Sequence, residues 1–149
     1  MQKSTQNKKI KNATPNTVNN IQFKSRLEVM VYETLLQSGF KPEYEKVKYV
    51  IWKGFKPTVA FYDKDKSTGL LKLNNKKIID ITYTPDFILT VGKITIIIEV
   101  KGLENDVFPI KKKLFRRWLE SQQNYVYFEI YSKKQLLQAI EIIKNYVKD

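Results

Sequence analysis

Three side chains in one short stretch carry the strongest chemical signal in the chain: Asp86, Glu99 and Lys101. Asp86 follows Tyr83-Thr84-Pro85 and opens the apolar run Phe87-Ile88-Leu89. Glu99 and Lys101 close the run Ile94-Thr95-Ile96-Ile97-Ile98-Glu99-Val100-Lys101, with Gly102 next. Two carboxylates are hard oxygen ligands that suit Mg²⁺ or Mn²⁺, and an ammonium beside them can steer a water or a phosphate. A phosphodiester is anionic, and attack on it builds further negative charge. A pair of carboxylate-held metal ions activates the attacking water and stabilises the leaving oxygen. For that chemistry Asp86 and Glu99 are the expected ligands, and the carbonyl of Val100 a further one. Lys101 would hold the water and offset charge in the transition state. A carboxylate followed by Glu-x-Lys is a weak signal alone, because exposed ion-paired strand edges share it. Here a run with four isoleucines ends on two charges, and buried charges without partners cost several kcal/mol.

These groups need elements to bring them together. Successive side chains of a strand alternate faces, so Glu99 and Lys101 share one. A hairpin turn at Gly92 would pair strands over roughly 86–91 and 94–101 and set Asp86 beside Glu99. Pro85 fixes its own φ and biases Thr84 towards extended geometry, which aims Asp86.

The rest of the composition narrows the choices. The 149 residues fit one domain with room for a core. A formal net charge of +12 predicts a polyanionic partner, DNA or RNA. The chain has no cysteine and no histidine. That removes disulfides, thiolate or histidine metal sites and histidine acid–base catalysis. No apolar run approaches the roughly 20 residues of a membrane span, and the polar N-terminus lacks a signal core, so a cytosolic protein is expected.

Along the chain, residues 1–21 read as a disordered basic tail and 22–149 as a single domain. Residues 25–38 read as a helix with Leu27, Met30, Val31 and Leu35 inward and Gly39 as its stop. Ser25 and Glu28 fit a capping box, so Glu28 is either a cap or a member of the acidic site. One strand is expected over Glu43–Trp52, another over Thr58–Tyr62, and a polar turn at 63–69. A hairpin is expected from Leu70–Leu73 and Lys76–Tyr83 about Asn74-Asn75. Asp80 reads as an outward sheet residue, ahead of a spare carboxylate near the site, and Glu104 and Asp106 as solvated loop residues. Pro109 suits the start of a helix. Residues 110–122 would bury Ile110, Leu114 and Trp118, with Phe115 and Leu119 beside them. Lys111, Lys112, Lys113, Arg116 and Arg117 form the densest basic patch and are the expected DNA contacts. Tyr125–Tyr131 reads as a strand. A last helix capped by Ser132 and Gln135 would bury Leu136, Leu137, Ala139, Ile140, Ile143 and Val147. The order predicts an α/β fold, a mixed sheet flanked by helices, with a crossover after Glu99.

Taken together, several of these residues resemble the PD-(D/E)xK nuclease superfamily, and within it the phage endonuclease I group of Holliday junction resolvases and related small phage nucleases. The matching residues are Ser25-Arg26-Leu27-Glu28, Glu43-Tyr44-Glu45, Tyr83-Thr84-Pro85-Asp86-Phe87, Glu99-Val100-Lys101-Gly102-Leu103 and the basic helix at 111–117. The resemblance implies a restriction-endonuclease-like αβββαβ core and Mg²⁺-dependent endonuclease cleavage of DNA, host-cytoplasmic if phage-encoded. It implies a catalytic and metal-site role for Glu28 with Asp86, Glu99 and Lys101. A homodimer belongs to the same expectation. The segment from Glu45 to Tyr83 is longer than in endonuclease I, so an inserted β-hairpin is expected there, and the exchanged dimer is not carried over.

Overall fold

The computed structural model describes residues 16–102 and 106–148. They divide into two compact units. One comprises residues 16–46, 85–102 and 124–148; the other comprises 47–84 and 106–123.

The first unit is built on a four-stranded mixed sheet. It contains β3 (Glu43–Tyr44), β8 (Phe87–Val91), β9 (Ile94–Val100) and β10 (Tyr125–Ile130) in the order β10-β9-β8-β3. β8 and β9 form the expected antiparallel hairpin, in register from Phe87↔Ile98 to Val91↔Ile94. Its two-residue turn is possible because Gly92 adopts φ +59°, where a side chain would be strained. β10 runs parallel to β9, as a crossover requires, and β3 runs antiparallel to β8.

Alternation sorts the sheet into two faces. Phe87, Leu89, Val91, Ile96, Ile98, Val100 and Ile130 enter one hydrophobic core with helices α1 (Arg26–Gln37) and α3 (Lys133–Val147). α1 contributes Val31, Tyr32 and Leu35, and α3 contributes Leu136, Ala139, Ile140 and Ile143. Leu137 and Val147, expected inside, are exposed: Leu137 lies about 100° round the helix from Leu136, whereas Val147 keeps the phase of the stripe but is the last residue of α3. The α3 cap forms as expected. Ser132 Oγ accepts from Gln135 N, and Gln135 Oε1 accepts from Tyr131 N at 2.7 Å.

Of the expected tail, residues 1–15 lie outside the described residues. Residues 16–21 do not belong to a tail. β1 (Asn16–Val18) and β2 (Ile21–Phe23) form a hairpin whose turn, Asn19-Asn20, has positive φ at both residues. Asparagine tolerates that geometry, and the hairpin delivers Phe23 fully buried into the core.

The second unit pairs β4 (Tyr49–Trp52) with β7 (Ile81–Tyr83), and β5 (Tyr62–Lys64) with β6 (Leu71–Leu73). The single strand expected over Glu43–Trp52 is broken, because Glu45 takes φ +43° between β3 and β4. The hairpin expected about Asn74-Asn75 is replaced by one turning at 65–69. There Asp65 Oδ1 accepts from Ser67 N and Thr68 N at 2.9 and 3.0 Å, which closes the turn. β5 correspondingly starts at Tyr62 rather than Thr58.

α2 (Phe108–Leu119) stacks its own aromatics on β4 and β7. Phe115 lies 4.5 Å from Tyr83, and Trp118 lies 4.8 Å from Tyr49, between ring centroids. The buried centre of α2 is Phe108 and Phe115, so Ile110, roughly 140–160° round the helix from them, is exposed rather than inward.

Asp80 is not a sheet residue. It accepts from Gly54 N at 2.8 Å and Lys53 Nζ at 3.0 Å, and the Gly54 amide above all holds its carboxyl below the usual range. Gly54 packs against the backbone of the 78–80 segment; a Cβ there would fall 2.1 Å from Ile78 O and 2.5 Å from Ile79 C. Neither atom can swing aside. Gly54→Ala is expected to destabilise the second unit by about 1–3 kcal/mol. Hydrogen exchange should detect this first at the paired Phe55 and Ile78 amides, which exchange bonds of 2.9 Å.

Candidate active site

The sheet register brings Asp86 and Glu99 together. One position beyond the Phe87↔Ile98 pair, Asp86 falls opposite Glu99, on the face away from the α1–α3 core. Asp86 Oδ2 accepts from Val100 N at 2.7 Å, which orients the carboxylate across the hairpin. Lys101 follows two residues after Glu99 on the same face, and its Nζ lies 2.6 Å from Glu99 Oε1. Glu99 is 5% exposed and Lys101 half-buried.

This crowding has an electrostatic consequence. Burial first, then the charges of Glu99 and Glu28, push the Asp86 carboxyl up to about 7; Val100 N–H and Lys101 act in the opposite direction.

Glu28 is buried at 6% exposure, an unusual place for a helical carboxylate. Its oxygens are occupied. Oε1 accepts from Ser25 Oγ at 3.1 Å, and Oε2 accepts from Lys24 N at 3.0 Å and from Tyr44 OH at 2.7 Å. Ser25 Oγ in turn accepts from Glu28 N at 3.1 Å. The capping box therefore forms, with the Lys24 amide in place of the cap residue's own. Glu28, Asp86 and Glu99 do not form a three-carboxylate metal group, and among the described residues no group of three or more Asp, Glu, His or Cys is arranged as one. Cap and tyrosine bonds hold Glu28, and it reaches Asp86 through its charge.

The donor set itself fits a hard divalent ion. It is oxygen only, and Mg²⁺ is commonly held by one or two carboxylates while keeping several waters. Asp86, Glu99 and the main chain at Val100 can supply that set, and a cation there would relieve the repulsion that raises Asp86.

Three features were not picked out as functional from sequence. Glu129 of β10 lies opposite Glu99 in the parallel register and accepts from Tyr127 OH and Tyr131 OH, both at 3.2 Å. The alternation Tyr127-x-Glu129-x-Tyr131 is the signal that marks one polar face. Tyr44 is kept protonated, above all by burial and then by its bond to Glu28, so it remains a donor. Lys24 is ion-paired with Glu45, whose amide donates to Asp86 O at 2.8 Å. That pairing holds the Lys24 ammonium above its usual range.

The basic helix belongs to the second unit. Lys113, Arg116 and Arg117 are exposed, whereas Lys111 and Lys112 flank the buried Phe108–Phe115 stripe and are half-buried. Asp106 is exposed as expected; Glu104 and Leu103 lie outside the described residues. Among the described residues no helix is long and apolar enough to cross a membrane.

Neither a curated protein nor a solved structure matches the chain. A family model does match, over residues 7–135, and its description assigns no activity. On that match, which spans most of its length, the chain belongs to the family "Protein of unknown function (DUF1064)".

Proposed function

We propose that this protein is a metal-dependent DNA endonuclease on a restriction-endonuclease-like core. The observation that carries the reading is the β8–β9 hairpin, with Asp86 opposite Glu99 and Lys101 on the same face at the sheet end. The order α1, β3, β8, β9, α2, β10 and the mixed sheet agree with an αβββαβ core. The charge of +12 suits a polyanionic substrate.

In this reading Asp86 and Glu99 hold Mg²⁺ or Mn²⁺, with the Val100 carbonyl as a third donor. When bound, the metal supplies an acidified water and charge stabilisation at the leaving oxygen. Val100 N–H keeps Asp86 aimed, and Lys101, beside Glu99, would orient the water and offset developing charge. Lys113, Arg116 and Arg117 contribute phosphate contacts.

The test is cleavage of a panel of junction, nicked, flap and plain duplex DNA with Mg²⁺, Mn²⁺ or EDTA. Glu99→Gln and Lys101→Ala should each lower the rate by about 10²-fold or more. Undiminished cleavage in both variants would sink the proposal.

One observation favours a second reading, a nucleic-acid-binding module without catalysis: Lys101 is already committed to Glu99 at 2.6 Å. It predicts salt-sensitive DNA binding with no cleavage under any divalent ion.

A further inference from the structure

The second unit carries a surface that the endonuclease chemistry does not use. Residues 53–80 hold seven lysines and three aspartates. Each aspartate is engaged within the segment. Asp63 accepts from Asn74 Nδ2 at 3.0 Å, Asp65 closes its turn and pairs with Lys72 at 3.3 Å, and Asp80 pairs with Lys53 at 3.0 Å. The surplus is cationic, on the exposed side chains of Lys56, Lys64, Lys66, Lys76 and Lys77.

Large apolar side chains are exposed among these lysines, including Phe55, Val59, Phe61 at 58% and Tyr62. Clustered apolar exposure of this kind marks a binding surface. Phe55 and Phe61 line an open cleft of about 580 Å³, with Val59, Lys56, Lys76 and Lys77 around it. That lies within the roughly 300–1,000 Å³ typical of small-ligand clefts. Lys56 Nζ donates to the Asn75 carbonyl. On the adjoining ribbon the register pairs Tyr62 with Leu73 and Lys64 with Leu71, so an aromatic and a cation share one face.

We propose that this cleft takes an unpaired base of a single-stranded nucleic acid, with Phe61 and Phe55 stacking on the base and Lys76 and Lys77 meeting the flanking phosphates. The choice of DNA rests on the endonuclease reading, which the cleft deepens by naming a substrate with a single-stranded segment. Charge complementarity selects the occupant. A polyanion with exposed ring faces matches interleaved lysines and aromatics, whereas a duplex hides its base faces. A second copy of the chain would bring like charge to the patch. A bilayer surface is flat, and the aromatics line a concavity.

The experiment is fluorescence anisotropy with labelled oligothymidylate and with a blunt duplex, in EDTA and low salt, so that cleavage plays no part. Phe61→Ala should weaken oligothymidylate binding about five- to hundredfold and leave duplex binding within twofold. Phe61→Trp, which keeps a ring, should retain it. The Lys76→Ala, Lys77→Ala double variant should flatten the salt dependence. Unchanged affinity in Phe61→Ala, an equal loss on duplex, or an equal loss in Phe61→Trp would overturn the proposal. So would Phe61-dependent binding to phosphatidylserine vesicles, or Phe61-dependent dimerisation in light scattering, without an effect on oligothymidylate. The outcomes separate the two readings. Phe61-dependent binding with no cleavage under any metal would remove the nuclease and keep the cleft; cleavage with Phe61-independent binding would do the reverse.

Discussion

Asp86→Asn is expected to make the metal-free protein more stable at pH 8 while abolishing metal-dependent cleavage. The Asp86 carboxyl is raised to about 7 in the folded chain by burial and by Glu99 and Glu28, from an ordinary value of 3.8. Between these values the folded state binds more protons than the unfolded state, so stability falls as pH rises through that window. The penalty is absent below pH 4 and complete above pH 7, where it amounts to about 2–4 kcal/mol. Asparagine carries no charge and can still accept from Val100 N, so the variant escapes the penalty. Urea denaturation of both proteins in EDTA from pH 4 to 8 should give curves that coincide at the acid end and diverge above it. Adding Mg²⁺ or Mn²⁺ at pH 8 should stabilise the wild type and leave Asp86→Asn unmoved, because binding to the folded state alone raises stability. Cleavage should fall by about 10³-fold or more in the variant. A variant less stable than wild type at pH 8 would show that the Val100–Asp86 bond outweighs the charge repulsion. A wild type insensitive to divalent ions would remove the metal site.

Phe87→Ala should cost about 3–5 kcal/mol, a large share of the 5–15 kcal/mol typical of a whole domain. Phe87 is fully buried, and its ring lies 5.4 Å from Tyr44, 6.1 Å from Phe23 and 6.3 Å from Tyr32 between centroids. Those partners come from β3, β2 and α1, so a cavity there is lined by three elements that cannot collapse together. Phe87 also precedes the turn-side half of β8 and follows Asp86 directly, so its loss loosens the carboxylate that the hairpin aims. Thr90→Ala, on the same strand but exposed, should change stability by less than about 0.5 kcal/mol. Equal losses in the two variants, by denaturant titration, would show that β8 is held by its ladder rather than by its buried face.

Legibility from sequence followed the range of the interaction concerned. The Gly92 turn and the Ser25 and Ser132 caps are set within four residues, and each is readable; the inward stripe of α3 is readable at Leu136, Ala139, Ile140 and Ile143 but not at Leu137 or Val147. The β8–β9 register was readable for the same reason, because a two-residue turn leaves little freedom in pairing. The strand partners of the second unit were misread. Leu70–Leu73 has apolar neighbours on both sides, and only the Asp65 turn decides that it pairs with β5 rather than β7. Residues 16–21 look like a tail by composition, yet Asn19-Asn20 and Phe23 turn them into a hairpin.

For the site, residue types and local spacing determined that the available chemistry is carboxylate, lysine and oxygen-ligated metal, and that Asp86, Glu99 and Lys101 share one end of a hairpin. Tertiary structure decided what distance along the chain conceals. It committed Glu28 to Ser25, Lys24 and Tyr44, and set Glu129 beside Glu99 across a parallel pair. It also separated Lys113, Arg116 and Arg117 from the half-buried Lys111 and Lys112. Chain spacing specifies a neighbour within one turn or one hairpin. The partners of a buried carboxylate are specified only once remote elements pack, because desolvation makes every unpaired alternative costly.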